Sequence, residues 1–266
     1  MKKTKKIQLL LLGLAALLLS GCEKVIELDL KEEGNKIVIE GEINNGSGPY
    51  QVRITQSVPF SESSGYPVIE EAFVVMHDDA GQRDTLQFNP DGFYQANQIK
   101  GIPGRTYTLD VTIGGNTYSA SSKMPNHVSL DTLNLSTFDI FGSLQKVIVP
   151  IYTDPLEIGN SYRKIVYVNN QLDKTWELNN DNVNNGGINQ QPIFGSTFEL
   201  ATGDKVRVIL QCIDARVYNY FFTLSEISDG GPGGGITPTN PPSNFSNGAL
   251  GIFSACTVSE KSIVVD

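Results

Sequence analysis

The sequence predicts an all-β fold carried behind an export signal. Three observations lead there. Short runs rich in Val, Ile, Thr, Tyr and Phe alternate apolar with polar residues, as strands with one buried face do. Glycine, asparagine and proline clusters interrupt these runs at short intervals, too often for long helices. Only one segment repeats its apolar residues at three- and four-residue steps. Many short strands in a chain of this size read as β-sandwich architecture.

The first 22 residues are of another kind. Lys2, Lys3, Lys5 and Lys6 make a basic start, Ile7 to Leu19 is almost purely apolar, and Leu19-Ser20-Gly21-Cys22 places small residues before a cysteine. The apolar run is too short to span a bilayer and ends in a processing site, so residues 1–21 read as a lipoprotein signal peptide. Cys22 is the lipidation site, where a thiol takes the diacylglycerol. Several acyl chains hold a protein firmly on a membrane where one does so marginally. Residues 22–34 form an acylated tether; the alternation Val25 to Leu30 also suits an edge strand.

Residues 35–124 read as a β-sandwich domain. Ile37 to Ile43 opens it, Asn44 to Gly48 turns, and Tyr50 to Thr55 returns. Ala72 to His77, Thr85 to Phe88 and Phe93-Tyr94 follow, separated by Asp78-Asp79-Ala80-Gly81 and Asn89-Pro90-Asp91-Gly92. Tyr107, Leu109, Val111 and Ile113 share one face of the next strand, and Gly114-Gly115-Asn116 turns it tightly into Thr117 to Ala120.

Met124-Pro125 marks a boundary, and residues 125–266 read as a second β-rich domain with one helix near 214–228. Strand patterns resume at Leu130 to Leu135, Lys146 to Tyr152, Tyr162 to Val168 and Lys174 to Leu178. Asn179 to Gln191 is amide-rich and is expected as an exposed loop. In Lys205 to Ile213, Val206, Val208, Leu210 and Cys212 lie on one face. Asp214 is an N-cap, and Val217, Tyr220, Phe221, Leu224 and Ile227 recur at helical spacing behind it. Asp229 to Gly248 reads as a long loop, and Gly251 to Val258 and Ser262 to Val265 close the chain as strands.

Cys212 and Cys256 are the cysteines left once Cys22 is lipidated. They form either a disulfide, which an oxidising envelope permits, or two buried thiols; spacing does not decide between them.

Composition excludes some functions. Removing residues 1–21 takes four lysines from 20 basic residues and none from 29 acidic ones, leaving a formal charge of −13. Nucleic-acid binding, which needs a basic stripe, is excluded on that ground. No constellation for catalysis is present: the two histidines, His77 and His127, stand apart, and no nucleophile elbow, zinc-helix motif or phosphate loop occurs. Gly230 to Gly235 follows a helix rather than a strand and lacks the lysine of a phosphate cradle. No metal or cofactor is expected.

Aromatic and apolar residues in loops are the better lead. Trp176 is the only tryptophan and leads into the amide-rich loop. Ile236 and Phe245 lie in the last long loop beside Pro232, Pro238, Pro241 and Pro242. These three residues are candidates for partner or ligand contact, on the view that long loops are uncommon without a use. The alternative is that Ile236 and Phe245 fold back onto their own domain.

Three stretches resemble one family. Pro103-Gly104-Arg105-Thr106-Tyr107-Thr108-Leu109-Asp110-Val111 through Met124-Pro125, Asp214 to Ile227, and Asn240-Pro241-Pro242-Ser243-Asn244 through Gly248 to Ala255 occur in the order found in the Bacteroidota envelope lipoproteins grouped as domain of unknown function 4249. The resemblance implies an outer-membrane lipoprotein whose gene often accompanies a TonB-dependent receptor. It also implies an immunoglobulin-like or carboxypeptidase-regulatory-like first domain. It brings no catalytic residues. Glu23-Lys24 after the lipid cysteine fits surface display in that phylum. The expected function is therefore a non-enzymatic accessory subunit of a TonB-dependent nutrient transporter, lipid-anchored at the outer membrane. The rival expectations are a structural or adhesive surface protein without a transporter, and a hydrolase with an unrecognised site.

Overall fold

The structure is a computed structural model that describes residues 35–59, 65–140, 142–182, 184–194, 198–229 and 240–266. The signal peptide, Cys22, the tether and Ile236 lie outside the described residues. Residues 35–266 form one compact unit.

In chain order the first strands are β1 (Ile37–Asn44), β2 (Tyr50–Gln56), β3 (Phe73–Asp78), β4 (Arg83–Phe88), β5 (Tyr94–Ala96), β6 (Thr106–Ile113) and β7 (Asn116–Lys123). The fold is all-β, as the alternation requires. β6 is the clearest case: Tyr107, Leu109 and Val111 are fully buried, and the hairpin to β7 closes on a two-residue loop with Ile113 opposite Asn116. Gly114 and Gly115 both take positive φ there, 55° and 84°, the left-handed pair that a tight β-hairpin needs.

The chain continues through β8 (Thr132–Ile140), β9 (Ser143–Thr153), β10 (Ser161–Val168), β11 (Gln171–Leu172), β12 (Glu177–Asn180), β13 (Ile188–Asn189), β14 (Lys205–Ile213), the helix α1 (Ala215–Asp229) and β15 (Leu250–Val264). Strands β8, β9 and β13 make a small sheet of their own. The other strands belong to one large sheet running β11-β10-β14-β15-β1-β2-β5-β4-β3-β6-β7, with β12 added beside β10.

β15 joins the two halves of that sheet. It reads as two strands with a break, but it is a single strand of 15 residues. Leu250–Cys256 pair parallel with β1, and Thr257–Val264 pair antiparallel with β14. Gly251 permits the parallel contact. Its φ is 93°, and a Cβ there would lie 2.1 Å from the Ile39 carbonyl oxygen. Met124 packs in one core and Val128 in the next, but residues 35–266 are one unit whose large sheet joins the two sides through β15. Residues of β1 to β7 enclose one core around Ile39, Tyr94, Tyr107 and Phe253, while β8, β9, β10 and β14 enclose another around Tyr152, Val166, Val208 and Leu210. The terminal strand contributes Phe253 and Ala255 to the first core, far from where the sequence enters it. Ser122 on β7 accepts a hydrogen bond from the Ala255 amide at 2.9 Å, bringing the sheet's far edge back to β15.

Two open alternatives are decided and one expectation changes. Cys212 and Cys256 are free, buried thiols. Cys212 pairs in register with Thr257, so the next residue, Cys256, points to the opposite face of the sheet. Cys212 joins the second core and Cys256 the layer under α1, so no bridge can form between them. The amide-rich segment is not simply loop, because Glu177–Asn180 pair with β10 and Ile188–Asn189 with β9. Phe245 is 7 % exposed and packs in the first core. The preceding Asn244 fastens it there: its side chain donates to the Phe253 carbonyl at 2.8 Å and accepts from the Phe253 amide at 3.0 Å.

Candidate functional site

The site begins with α1. Asp214 ends β14's run and caps the helix, its Oδ1 accepting from the amides of Arg216 at 2.9 Å and Val217 at 3.0 Å. Its other oxygen accepts from the Ser122 hydroxyl and from the Lys123 amide, so the cap also ties the helix to β7. So held, α1 lies on the face of the sheet opposite the second core. Its Val217 is buried against Ile213, Ile252 and Cys256, with Tyr218, Tyr220 and Phe221 packed around them.

Beside α1, the edge of β10 is covered twice. β11 pairs with its end and β12 with its beginning. Between them Asp173 to Trp176 bow away from the sheet. Asp173 anchors the bow: its amide donates to the Val166 carbonyl at 2.9 Å, and its Oδ1 accepts from the Thr175 amide at 3.0 Å and hydroxyl at 2.8 Å. The bow leaves a cavity of about 380 Å³ lined by Arg163, Lys164, Lys174, Trp176 and Glu177 among others. That volume is in the range of small-molecule pockets.

Trp176 forms its aromatic wall. The indole is half-buried, with its ring centroid 5.9 Å from that of Phe221 on α1. The Arg163 guanidinium lies 3.9 Å from the Phe221 ring centre and 5.5 Å from that of Trp176. A guanidinium so placed is attracted by both π faces and holds the two rings together. Burial lowers the Arg163 pKa, with the Glu42 carboxylate acting against it.

The charged floor belongs to two strands. Lys164 on β10 and Glu177 on β12 face each other in register, so both side chains leave the same face. Lys164 is 2 % exposed, in phase with the core residues Tyr162, Val166 and Val168. Its ammonium makes no hydrogen bond or ion pair with any described residue. Burial lowers its pKa, and the nearby Glu177 raises it. Burial likewise pushes the Glu177 carboxyl up to about 7, with Lys164 opposing and Asp173 adding to the rise. The Lys164 and Glu177 side chains thus leave the strand pair on the side of the second core, while Arg163 and Trp176, their neighbours in the chain, pack on the α1 side.

Other candidates are plainer. His77 lies 3.2 Å from Asp110 across β3 and β6, on a partly exposed face, and His127 is exposed. Among the described residues no group of three or more His, Cys, Asp and Glu side chains is placed to hold a metal ion. Of the residues singled out in the sequence, Trp176 lines the cavity, whereas Phe245 is core, and Cys212 and Cys256 are separate. Arg163, Lys164 and Glu177 escaped the sequence reading. The missed signal was phase: Lys164 falls where an apolar residue belongs in β10.

The fold is all-β, with one helix among the described residues laid on its large sheet. The chain belongs to the family described as domain of unknown function (DUF4249), whose model matches residues 23–262. No curated protein matches it.

Proposed function

We propose that this protein is a non-enzymatic, lipid-anchored subunit of the outer membrane that works beside a TonB-dependent transporter and helps capture its nutrient. The observation that carries the reading is the sequence Leu19-Ser20-Gly21-Cys22 behind a basic and apolar leader, directly ahead of a compact β unit. No described helix is long and apolar enough to cross a membrane, so acyl chains on Cys22 are the natural anchor.

A surface for the transporter is supported at the tip of the β9–β10 connection. Leu156 is 81 % exposed, Ile158 89 % and Ile188 61 %. Leu156 and Ile188 come from neighbouring segments: the Asn185 side chain donates to the Leu156 carbonyl at 3.2 Å, and the Asp154 amide to the Gly187 carbonyl at 2.9 Å. Exposed aliphatic side chains brought together by two loops mark protein contact. Phe245, one of the contact candidates in the sequence, is core and is not part of this surface.

Isolation of the tagged protein from detergent-solubilised outer membrane tests the reading. One large β-barrel should co-purify, and Leu156→Ser with Ile158→Ser should reduce its recovery while leaving the melting temperature unchanged. Recovery of the protein alone, at undiminished yield of intact anchored chain, would favour an adhesive or structural role and refute the transporter reading.

A further inference from the structure

We infer that the cleft at the open end of the second core, where the start of β9 faces the end of β10 and the start of β14, binds a short aliphatic carboxylate, its chain on the core side chains and its head at Lys146. The inference stands independently of the membrane anchor and of any transporter.

The apolar walls of the cleft all belong to one core. The cleft has a volume of about 520 Å³. Its floor is Ile148 of β9, Val166 and Val168 of β10, and Val206 of β14, each less than a tenth exposed and each a member of the second core. Phe198 and Leu200, on the segment that leads into β14, pack against the same core and make a side wall.

Lys146 enters this cleft from the same face. Ile148 and Tyr152 of β9 point into the second core, and side chains two residues apart on a strand share a face, so Lys146 and Leu144 continue it. The partner strand agrees: Leu135, packed against the core, lies opposite Ile148, and Thr137 lies opposite Lys146. The lysine thus stands where the next apolar residue of the core would be. Its ammonium reaches across to the large sheet, donating to the Thr202 hydroxyl at 3.2 Å and to the main-chain oxygen of Asp266. Both acceptors adjoin the pairing of Gly203 and Asp204 with Val265. An ammonium has three hydrogens, so these two bonds fix it at the rim and leave one for a ligand. No side-chain carboxylate among the described residues pairs with it. The other charged residue of the lining, Glu199, is exposed between the inward-packed Phe198 and Leu200.

The ligand follows from floor and rim. Water against an apolar wall lacks hydrogen-bond partners, so a hydrocarbon chain is the better occupant of the floor. A carboxylate is the matching head for the ammonium at the rim. The volume lies in the range of small-molecule pockets. Leu144, 75 % exposed on the same face, carries the apolar surface out to the mouth.

The full chain in lipid nanodiscs should be titrated calorimetrically with octanoate, 1-octanol and acetate, with empty nanodiscs as the blank. Octanoate should saturate at one site, with octanol about tenfold weaker for want of a charge-assisted hydrogen bond and acetate weaker still for want of a chain. Lys146→Met should bring octanoate down to the level of octanol and leave octanol unchanged, a split that a merely structural lysine would not produce. Val168→Phe should fill the floor and abolish octanoate binding with the melting temperature kept or raised, because added volume destabilises only a core that is already packed. Equal binding of octanoate and octanol, undiminished octanoate binding in Lys146→Met, or no saturable response to octanoate would overturn the proposal. So would a large fall in melting temperature for Val168→Phe, which would show that the floor has no room for a chain.

Discussion

Asp214 is the most informative single residue to remove. Its carboxylate serves two elements at once: Oδ1 caps α1 through the Arg216 and Val217 amides, and Oδ2 receives the Ser122 hydroxyl and the Lys123 amide of β7. Loss of an N-cap costs about 1 kcal/mol. Ser122 is 2 % exposed and its oxygen still accepts from the Ala255 amide, so the loss of Asp214 leaves only the buried hydroxyl proton without an acceptor, which adds roughly 2 kcal/mol. Asp214→Ala should therefore destabilise the protein by about 3 kcal/mol. Asp214→Asn keeps one oxygen for the helix cap but sets an NH2 group against Ser122 and Lys123, so it should cost about 2 kcal/mol. Urea unfolding followed by circular dichroism and by Trp176 fluorescence measures both. Because Phe221 on α1 packs against Trp176, the alanine variant should also shift the native emission to longer wavelength. A loss below 1 kcal/mol for alanine, or no loss for asparagine, would mean that Asp214 does not tie the helix to β7.

Phe245→Ala should cost about 3–4 kcal/mol in urea unfolding, as for other large aromatic cores, because the ring is packed in the first core; a loss under 1 kcal/mol would put it back on the surface. Gly251→Ala should destabilise by more than the ~1 kcal/mol of an ordinary strained glycine site, since its Cβ would strike the Ile39 carbonyl, and thermal unfolding at normal expression would contradict this if unchanged. Cys212 and Cys256 should resist a thiol reagent in the native protein, because both are buried and burial raises both thiol pKa values, and both should react after denaturation without reductant; recovery of a disulfide-linked peptide would contradict their placement on opposite faces. Glu177 holds its proton in the folded protein up to about pH 7 and releases it lower, near 4.5, when unfolded, so its contribution to stability falls as pH rises between those values. Relative to the wild type, Glu177→Gln should gain stability from pH 4 to pH 8, and a pH-independent difference between the two would show that the carboxyl is not shifted.

The local features were readable because they depend on near neighbours in the chain. Alternation placed the buried faces of β6 and β14, Gly114-Gly115 placed the β6–β7 hairpin, and Asp214 with its following apolar spacing placed α1. What escaped depends on pairings between distant segments. Nothing near Leu250 announces a parallel partner 212 residues earlier at Val38, and only that partner explains why Gly251 must be glycine. The amide-rich segment lacks the apolar alternation of a strand, because β12 and β13 are short edge additions held by backbone hydrogen bonds. Phe245 looked available in a proline-rich stretch because its core neighbours, β1 to β7, lie far away in sequence. The site was half readable: the lone tryptophan pointed to it, while Lys164 and Glu177 become a pair only when β12 is laid against β10.

Intact mass of the protein extracted from outer-membrane fractions, with the same measurement on Cys22→Ser, tests the proposed lipid anchor most directly. A mature chain that begins at Cys22 and carries diacylglycerol and a further acyl chain is expected, with Cys22→Ser absent from the membrane in mature form. A mature chain without acyl mass, or Cys22→Ser still firmly bound to the outer membrane, would contradict it.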